Sequence, residues 1–479
     1  MINKRNKANN KRQYVIQGKR DLENDKLDYV IKYMEHNKAF RYLLESEGSG
    51  KNEELLNEFI RRYRSYRSRW RGNPGYAIEN KLGNSYYQAT NCPPLNIDIE
   101  IAAICDLACP FCYRQAIVTP DKLMDKKLAY RIIDQCKEFD VYSIKFNWRG
   151  EPLLHPNLPD FIDYAKKKGI LETVINTNAV TLTESKSKAL IEAGLDIMIY
   201  SFDGATKDTY KIMRPGRFKE NCFEKVYGNI RRFAEIRDTM RSPFPRTKIQ
   251  MVLIEETYYE QDEYFEIFSD CVDDVAIKAY TERGGNLSDV DPLVRERLVA
   301  FCKDRGLPMD TPYWKDMKGH LFVSKGSRLP CEQIYQRMIV SYNGMVYMCC
   351  YDWGCQYPIG CLDISALKEG GKSFNEVLQK IKTRKKGYEG MSNAKMCKPF
   401  VKLTKHNQHI KEIWAGEILG AVRQLHVKGK LGYVPICKKC QFKETYQWEK
   451  LNNQDQGSIL TTPDEFQPSQ FEALFFLYR

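Results

Sequence analysis

Between residues 95 and 280, short apolar runs alternate with longer segments whose apolar residues recur every three or four positions. The short runs predict six β-strands: Leu95–Ile101, Tyr142–Asn147, Glu172–Asn176, Asp196–Phe202, Lys248–Ile254 and Asp274–Tyr280. The longer segments predict helices, for example Asp121–Phe139, Glu184–Ala193 and Phe223–Arg237. Thr119 and Pro120 have the pattern of an N-cap followed by proline, so we expect the first of these helices to begin there. Six βα units predict an α/β fold, a parallel sheet forming an open or partial barrel, with function at the carboxyl ends of the strands.

The chain before this region has the pattern of amphipathic helices. One apolar face is formed by Leu56, Phe59, Ile60, Tyr63, Tyr66 and Trp70. Gly72, Asn73 and Pro74 predict the end of that helix. Arginines lie between the aromatic residues, so two hypotheses arise: a packed amphipathic helix, or a surface on which nucleic-acid bases stack. The packed helix is the favoured hypothesis.

The region after residue 325 has a third pattern. Met338–Tyr342 and Met345–Cys349 flank Asn343-Gly344, which predicts a β-hairpin. A lysine-rich stretch over 362–408 resembles an insertion, and His409–Lys428 then predicts a helix that ends at Gly429. We therefore divide the chain into a basic helical extension (1–92), a barrel (93–282), a linker (283–325), a small cysteine-rich domain (326–450) with its insertion, and a tail (451–479).

Composition narrows the class of protein. The chain has 479 residues, of which 43% are hydrophobic and 29% charged, a balance typical of packed domains. There is no long uncharged apolar run, and the basic N-terminus lacks the apolar segment of a secretion signal, so we expect a cytoplasmic protein without a membrane partner. The net charge is +13, and it is accounted for by residues 1–20 and the arginines at 61–71. The rest of the chain is balanced, which excludes a general polyanion binder.

The 16 cysteines are the strongest chemical signal. Cys105, Cys109 and Cys112 form a CxxxCxxC motif directly after the first predicted strand. Three thiolates at this spacing match three corners of a [4Fe–4S] cluster, with one iron open to a small molecule. A three-cysteine zinc site is the alternative, but no fourth histidine or cysteine follows closely.

This motif resembles the signature of the radical S-adenosylmethionine (SAM) superfamily, in which an aromatic residue precedes the last cysteine, as Phe111 does here. Four further segments resemble the superfamily in order along the predicted strands: Arg149-Gly150-Glu151-Pro152, Asn176-Thr177-Asn178, Ser201-Phe202-Asp203-Gly204 and the segment ending at Arg214. Arg149 replaces a glycine of the usual pattern. The resemblance implies contacts with SAM from Phe111, Gly150, Glu151, Asn178, Ser201, Asp203 and Arg214.

The C-terminal cysteines resemble the SPASM/twitch extension of these enzymes. The resemblance implies that one auxiliary [4Fe–4S] cluster is held by Cys331, Cys349, Cys437 and Cys440. The last cysteines of a full SPASM domain are absent after Cys440, so the twitch arrangement is the better match. Cys350 is a competing ligand. We interpret Cys355, Cys361 and Cys397 as structural thiols, with further iron binding as the alternative.

The resemblance implies reductive cleavage of SAM to a 5′-deoxyadenosyl radical that takes hydrogen from a small polar substrate. Dehydrogenation of a sugar or aminocyclitol alcohol is the leading hypothesis, with the auxiliary cluster as electron acceptor. A peptide-modifying maturase, an RNA-modifying enzyme and a non-enzymatic iron–sulfur or zinc scaffold are the alternatives. We expect a reducing partner such as a flavodoxin or ferredoxin, an anionic or nucleotide-linked substrate, and no nucleic-acid partner.

Several residues remain weaker candidates. Glu255 and Glu282 follow predicted strands five and six and are candidates for the proton-accepting residue. His155 is interpreted as structural, and His406 and His409 as residues of a solvated loop rather than of a metal site. The chain has no GxGxxG, P-loop or HExxH motif, so nicotinamide, nucleoside-triphosphate and zinc-protease functions have no support.

Overall fold

The computed structural model describes residues 27–48, 52–112, 114, 121–253, 255–279, 313–315, 321–355, 357–366, 406–438, 440, 442, 446–450 and 452. The described strands, β1 to β12 in chain order, are Asn96–Ile99, Ser143–Lys145, Glu172–Thr177, Ile197–Ser201, Arg246–Leu253, Asp274–Ala279, Tyr313–Lys315, Leu321–Arg328, Arg337–Val340, Met345–Tyr347, Pro358–Cys361 and Tyr446–Lys450. The described helices, α1 to α14, are 27–32, Lys38–Glu47, Asn52–Glu79, Tyr86–Thr90, Lys126–Glu138, Leu158–Lys167, Glu184–Glu192, Lys207–Met213, Phe223–Thr239, Gln261–Phe268, Gln333–Gln336, Ile410–Trp414, Glu417–Val427 and Pro435–Lys438.

The six predicted strands form one parallel sheet in the order β1-β2-β3-β4-β5-β6, which confirms the partial barrel. One face of the sheet is covered by helices: Tyr200 of β4, for example, contacts Phe233 of α9 edge-on. Apolar side chains alternate along each strand toward these helices and form the main core. The carboxyl ends of all six strands consequently meet at one edge of the barrel.

The predicted hairpin is present, and it joins the barrel. Strands β9 and β10 are antiparallel, and Gly344 in their turn has a φ of 90°, a value that glycine adopts without strain. Strand β9 also pairs in parallel with β1, so the sheet order is β11-β10-β9-β1-β2-β3-β4-β5-β6. The cysteine-rich domain therefore extends the barrel sheet beside the strand that leads to the CxxxCxxC motif.

Helix α3 corrects one prediction. It does not end at Gly72-Asn73-Pro74 but continues to Glu79, with Pro74 inside it. Proline removes one backbone hydrogen bond from a helix interior. Here Pro74 and Ala77 are both buried, and this packing offsets the missing bond.

The start of helix α5 corrects a second prediction. The helix begins at Lys126, because Asp125 is the N-cap and its carboxylate accepts hydrogen bonds from the backbone of Lys127 (2.9 Å) and Leu128 (3.1 Å). Residues 121–125 directly ahead of it are not helical, and Leu123 forms an isolated bridge with Ala102. Thr119 and Pro120 lie outside the described residues. Two acidic residues, Asp121 and Asp125, fit the capping pattern equally well, and the sequence pattern does not distinguish them.

The helix predicted over His409–Lys428 consists of two helices, α12 and α13, separated at Ala415 and Gly416. The carbonyl of Trp414 accepts a hydrogen bond from the Arg423 guanidinium (3.0 Å), which satisfies a backbone group that helix continuation would otherwise use. The end at Gly429, which has a φ of 68°, is as predicted.

Strands β7, β8 and β12 form a separate antiparallel sheet, and β8 crosses residue 325, where we placed the end of the linker.

The apolar face of α3 packs under the barrel, as the packed-helix hypothesis predicts. Phe59, Tyr63 and Tyr66 share a buried cluster with residues at the amino ends of the strands, including Leu95 and Leu171. The Tyr63 hydroxyl donates to Glu172 (2.6 Å) and the Tyr66 hydroxyl lies 3.3 Å from the other carboxylate oxygen. Helix α3 thus closes the amino end of the barrel and leaves the carboxyl end for the site. No helix in the described part of the chain is both long and apolar enough to cross a membrane.

Candidate active site and auxiliary cluster site

The three cysteines of the CxxxCxxC motif occupy the loop after β1, and Cys109 is buried while Cys105 and Cys112 are half-buried. The segment after α8 holds this loop: Leu107 bridges Gly216, and the Ala108 N–H donates to the Pro215 carbonyl (2.8 Å). Two elements distant in sequence therefore fix the positions of the thiols.

Burial determines the protonation of these thiols. It raises the pKa of the Cys109 thiol to about 12, opposed by the nearby Arg214 guanidinium and reinforced by Cys112. Burial also raises the pKa of Cys105, and the Glu151 and Cys109 charges add to that rise. Because iron supplies positive charge directly at sulfur, binding of a cluster would stabilise the thiolates that burial disfavours.

Gly150, at the end of β2, is required by close packing against the cysteine loop. A Cβ atom there would lie 2.2 Å from the Ala102 carbonyl oxygen and 2.5 Å from that of Ile104. The adjacent Glu151 N–H donates to the Ile104 carbonyl (2.8 Å). Only glycine fits, so the β2 end and the residues before Cys105 form one rigid unit.

The Glu151 carboxylate organises the ends of β2 and β3. It accepts hydrogen bonds from the Thr177 hydroxyl (2.7 Å), the Asn178 backbone (2.7 Å) and the Leu153 backbone (3.0 Å). Burial raises the pKa of Glu151 to about 7, although these three donors favour the charged form. The side chain is thus occupied by the protein itself.

Asn178 connects this network to the cysteine loop. Its amide donates to Asp106 (2.6 Å) and lies 3.8 Å from the Cys105 sulfur. The other oxygen of Asp106 is buried without a hydrogen-bond partner among the described residues. Asp106 gave no signal in the sequence, because a single aspartate inside the motif is not distinctive.

Asp203 and Arg214 form a buried ion pair above β4. The Arg214 Nε and Asp203 carboxylate are 2.6 Å apart, and the other carboxylate oxygen accepts a hydrogen bond from the Val252 backbone (2.5 Å). The Arg214 guanidinium also lies 5.9 Å from the Phe111 ring centroid. Ser201 ends β4 on the same strand, half-buried. The sequence-predicted residues around the motif are therefore brought together at the carboxyl edge of the barrel.

The four cysteines assigned to an auxiliary cluster line one cavity. Cys331, Cys349, Cys437 and Cys440 face it together with apolar residues and the polar residues Arg328, Gln333 and His426. No three Cys, His, Asp or Glu side chains of the described residues are arranged to hold a single metal ion. A set of four sulfur donors around one cavity matches a cluster ligated by four cysteines.

His426 is a residue that the sequence did not reveal. It is buried in α13, where its Nδ1 atom lies 3.1 Å from the Cys331 backbone nitrogen and its Nε2 atom lies 3.4 Å from the Cys437 sulfur. Burial and, to a smaller extent, the nearby Arg328 charge lower its pKa to about 4. A lone histidine on a helix has no spacing signature, so only the fold shows its place between two cysteines.

The other predicted residues fall into three groups: histidines, further cysteines, and residues outside the described part of the chain. His155 is structural, as interpreted, since its Nε2 contacts the Met124 carbonyl (3.0 Å). His409 does not lie in a solvated loop as predicted but is the N-cap of α12. Cys350 is half-buried next to Cys349, while burial raises the pKa of Cys355 to about 12 and that of Cys361 to about 11. Glu282 and Cys397 lie outside the described residues, as does the side chain of Glu255.

Residues 99–266 match the model of the radical SAM superfamily. Residues 331–441 match the SPASM model, an iron–sulfur cluster-binding domain. The chain therefore contains a radical SAM domain and a SPASM domain. Its cofactors are SAM and the [4Fe–4S] cluster that binds SAM, and auxiliary iron–sulfur cluster binding by the SPASM domain adds a further cluster cofactor.

Individual relatives of this radical SAM chain match it over limited regions. A cofactor-modifying protein for tungsten-containing aldehyde ferredoxin oxidoreductase from Pyrococcus furiosus is 26% identical over 34% of this chain and 45% of its own. A GTP 3′,8-cyclase from Chlorobaculum tepidum is 30% identical over 26% of this chain and 38% of its own. The chain thus spans less than half the length of these curated relatives. The crystal structure of BtrN with AdoMet and 2-DOIA covers 74% of this chain and 94% of its own, with 16% identity and a TM-score of 0.37.

Proposed function

We propose that this protein dehydrogenates an alcohol of a small polar substrate, of the sugar or aminocyclitol class, by radical SAM chemistry. The observation that carries the proposal is the cavity lined by Cys331, Cys349, Cys437 and Cys440. A cluster ligated by four thiolates has no open iron for a substrate, so electron transfer is the role it suits.

The position of that cavity supports the role. Strand β9 hydrogen-bonds to β1, which leads directly to the CxxxCxxC loop. The end of β2 also contacts the cysteine-rich loop after β10: the Trp148 indole donates to the Cys350 carbonyl (3.0 Å) and Arg149 donates to the Trp353 carbonyl (3.0 Å). The two cysteine sites are thus parts of one hydrogen-bonded structure.

Different residues would bind the cluster and SAM. Cys105, Cys109 and Cys112 would hold the SAM-binding cluster, with Phe111 and Arg214 beside it. The loop containing Gly150 and Glu151, together with Asn178, Ser201 and Asp203, would line the place of SAM. The Glu151 and Asp203 carboxylates each accept backbone hydrogen bonds, so they hold the loops in position and exclude water from the reacting region.

The net reaction balances in atoms and electrons. SAM, the secondary alcohol and one electron from a flavodoxin- or ferredoxin-type reductant become methionine, 5′-deoxyadenosine, the carbonyl product, one proton and one electron. When bound, the cofactors supply the radical that takes the carbinol hydrogen and the acceptor for the released electron.

The experiment uses anaerobically reconstituted protein with dithionite, SAM and a deuterium-labelled cell extract divided into small-molecule, peptide and RNA fractions. We expect deuterium in 5′-deoxyadenosine, measured by mass spectrometry, only with the small-molecule fraction, and a carbonyl product in that fraction. Label transferred from the peptide or RNA fraction would refute the proposed substrate class. Label transfer without a carbonyl product would refute dehydrogenation.

A further inference from the structure

The inner face of the barrel sheet carries polar side chains at every level. Thr177 of β3 is level with Tyr200 of β4, which faces helix α9, so Glu172, in the opposite pleat of β3, lies on the inner face. Side chains alternate along a strand, so Val174 and Asn176 of β3 point to the same side as Glu172. In the strand register, Asn176 pairs with Ile199 of β4, and Ile199 pairs with Lys248 of β5, so the three residues lie at one level of the sheet.

The lower level of this face is satisfied by the protein. The Asn96 amide donates to Asp98 (2.6 Å), and the Ser143 hydroxyl donates to Asn96 (2.9 Å). Glu172 is bonded by the two tyrosines of α3. Polar groups near the closed end of the barrel thus need no ligand.

The upper level differs. The side-chain oxygens of Asn176 and Gln250 are buried and have no hydrogen-bond partner among the described residues. The Lys248 ammonium makes no hydrogen bond or ion pair with the part of the chain that the structure describes, and burial lowers its pKa while Asp274 opposes that effect. Lys248 and Gln250 are two residues apart on one strand, and Asn176 is two strands away, so their Cα atoms lie within roughly 12 Å of one another.

These three groups lie next to the proposed SAM-binding residues. Gln250 is the register partner of Ser201, and Val252, on the same strand, donates its N–H to Asp203. A molecule seated on Asn176, Lys248 and Gln250 would therefore present its carbon–hydrogen bonds toward the carboxyl edge of the barrel, where the radical forms.

We propose that Asn176, Lys248 and Gln250 form the substrate subsite, and that the substrate is a polyhydroxylated molecule bearing an anionic group. Hydroxyl groups would donate to the two amide oxygens, and the ammonium would bind the phosphate or carboxylate. This assignment rests on the proposed function and adds the substrate's charge to it. An uncharged polyol would leave the lysine without a partner, and an apolar substrate would leave all three groups unsatisfied.

The test measures binding without turnover. Calorimetry with SAM-loaded holoenzyme and no reductant compares four probes: glucose, glucose 1-phosphate, glucuronate and a neutral hydrophilic tetrapeptide. We expect at least one of the anionic sugars to bind about tenfold or more tightly than glucose. Comparison of the two anionic sugars distinguishes phosphate from carboxylate. Equal affinity for all sugars, tighter binding of the peptide, or no binding of any probe at millimolar concentration would overturn the proposal.

Variants locate the effect. Lys248→Met should abolish the preference for the anionic sugar, and Lys248→Arg should retain it, whereas Lys225→Met on the exposed surface of α9 should change nothing. Gln250→Leu should weaken the binding of glucose and the binding of the anionic sugar by the same factor. Retention of the full preference in Lys248→Met would refute the assignment. SAM cleavage with dithionite is measured separately, so failure of the proposed chemistry and failure of this subsite give different results.

A second inference concerns His426 and rests on a different observation. The backbone N–H of Cys331 is a donor only, so the Nδ1 atom 3.1 Å away accepts it and carries no hydrogen. The ring hydrogen is then on Nε2, which lies 3.4 Å from the Cys437 sulfur. We infer that His426 is a positioning residue whose Nε2–H donates a hydrogen bond to the Cys437 thiolate and raises the reduction potential of the auxiliary cluster.

The readout is the potential itself. In an EPR-monitored redox titration of the reconstituted protein, His426→Phe should lower the midpoint potential of the auxiliary cluster and leave iron content unchanged. His426→Gln, whose amide is also a donor, should lie between this variant and the wild type. An unchanged potential would refute the hydrogen bond, and loss of the cluster's iron would show that His426 is a ligand instead.

Discussion

Arg149 and Glu100 form a buried bidentate ion pair, in which Nε and Nη2 each lie 2.7 Å from one carboxylate oxygen. The same guanidinium donates to the Trp353 carbonyl, and the carboxylate lies 3.3 Å from the Tyr342 backbone nitrogen. Arg149 stands where the superfamily pattern has glycine. Its side chain joins the ends of β1 and β2 to the loops on both sides of β10, so the departure from the pattern has a structural role between the two cysteine sites.

Breaking this pair should cost stability. Arg149→Met leaves the buried Glu100 carboxylate uncompensated, and we expect the free energy of unfolding to fall by about 3–5 kcal/mol. Replacing both residues by methionine should lower the free energy of unfolding by less, because no charge then remains buried. Urea unfolding followed by tryptophan fluorescence measures both. Lys188→Met, which removes an exposed pair with Glu184, is the control and should leave stability unchanged. A double variant less stable than Arg149→Met would contradict this account.

Substitutions in the two groups of cysteines should affect different products of the reaction. Cys105→Ala removes a ligand of the SAM-binding cluster, so we expect loss of 5′-deoxyadenosine formation. Cys440→Ala removes a ligand of the auxiliary cluster, so SAM cleavage should persist while the carbonyl product is lost. Mass spectrometry of both products distinguishes the cases. Cys136→Ala, at a buried cysteine in α5 remote from both groups, is the control and should keep both products. Full turnover in Cys440→Ala would refute the electron-acceptor role.

Local patterns predicted much of this fold because they depend on neighbours in sequence. The six strands, the hairpin at Asn343-Gly344 and the cysteine spacings are all set within short segments. The pairing of β9 with β1 joins residues about 240 apart, and no periodicity encodes it. The continuation of α3 through Pro74 depends on packing against the core, which overrides the local signal.

The candidate site shows the same division. The residues that resemble the superfamily were found because they lie in short motifs at strand ends, as Asp203 and Arg214 do. His426 and the inner-face residue Lys248 belong to no motif. Their roles depend on which elements the fold brings together, so sequence reasoning could not find them.

Arg214 should control SAM affinity without affecting iron. Its ion pair with Asp203 is buried, and Asp203 in turn accepts the Val252 N–H, so its loss would displace two strand ends. We expect Arg214→Met to weaken SAM binding by about tenfold or more, with iron content unchanged. Anaerobic calorimetry on the oxidised protein measures this affinity. The control is Arg232→Met, which replaces an exposed arginine of α9. Unchanged SAM affinity in Arg214→Met would exclude it from the SAM site.

Glu151 should make the stability of the protein depend on pH. Burial raises its pKa from 4.5 to about 7, so the folded protein binds a proton that the unfolded chain releases between these values. The stabilisation from this group is therefore present below pH 4.5 and is lost as pH rises through about 7, a change on the order of 3 kcal/mol. Glu151→Gln keeps the shape without the titration, so its stability relative to wild type should increase with pH across this window. Thermal unfolding between about pH 5.5 and 8 measures the difference, with Glu192→Gln on the surface as the control. A pH-independent difference between wild type and Glu151→Gln would show that the carboxylate stays charged, held by its three donors.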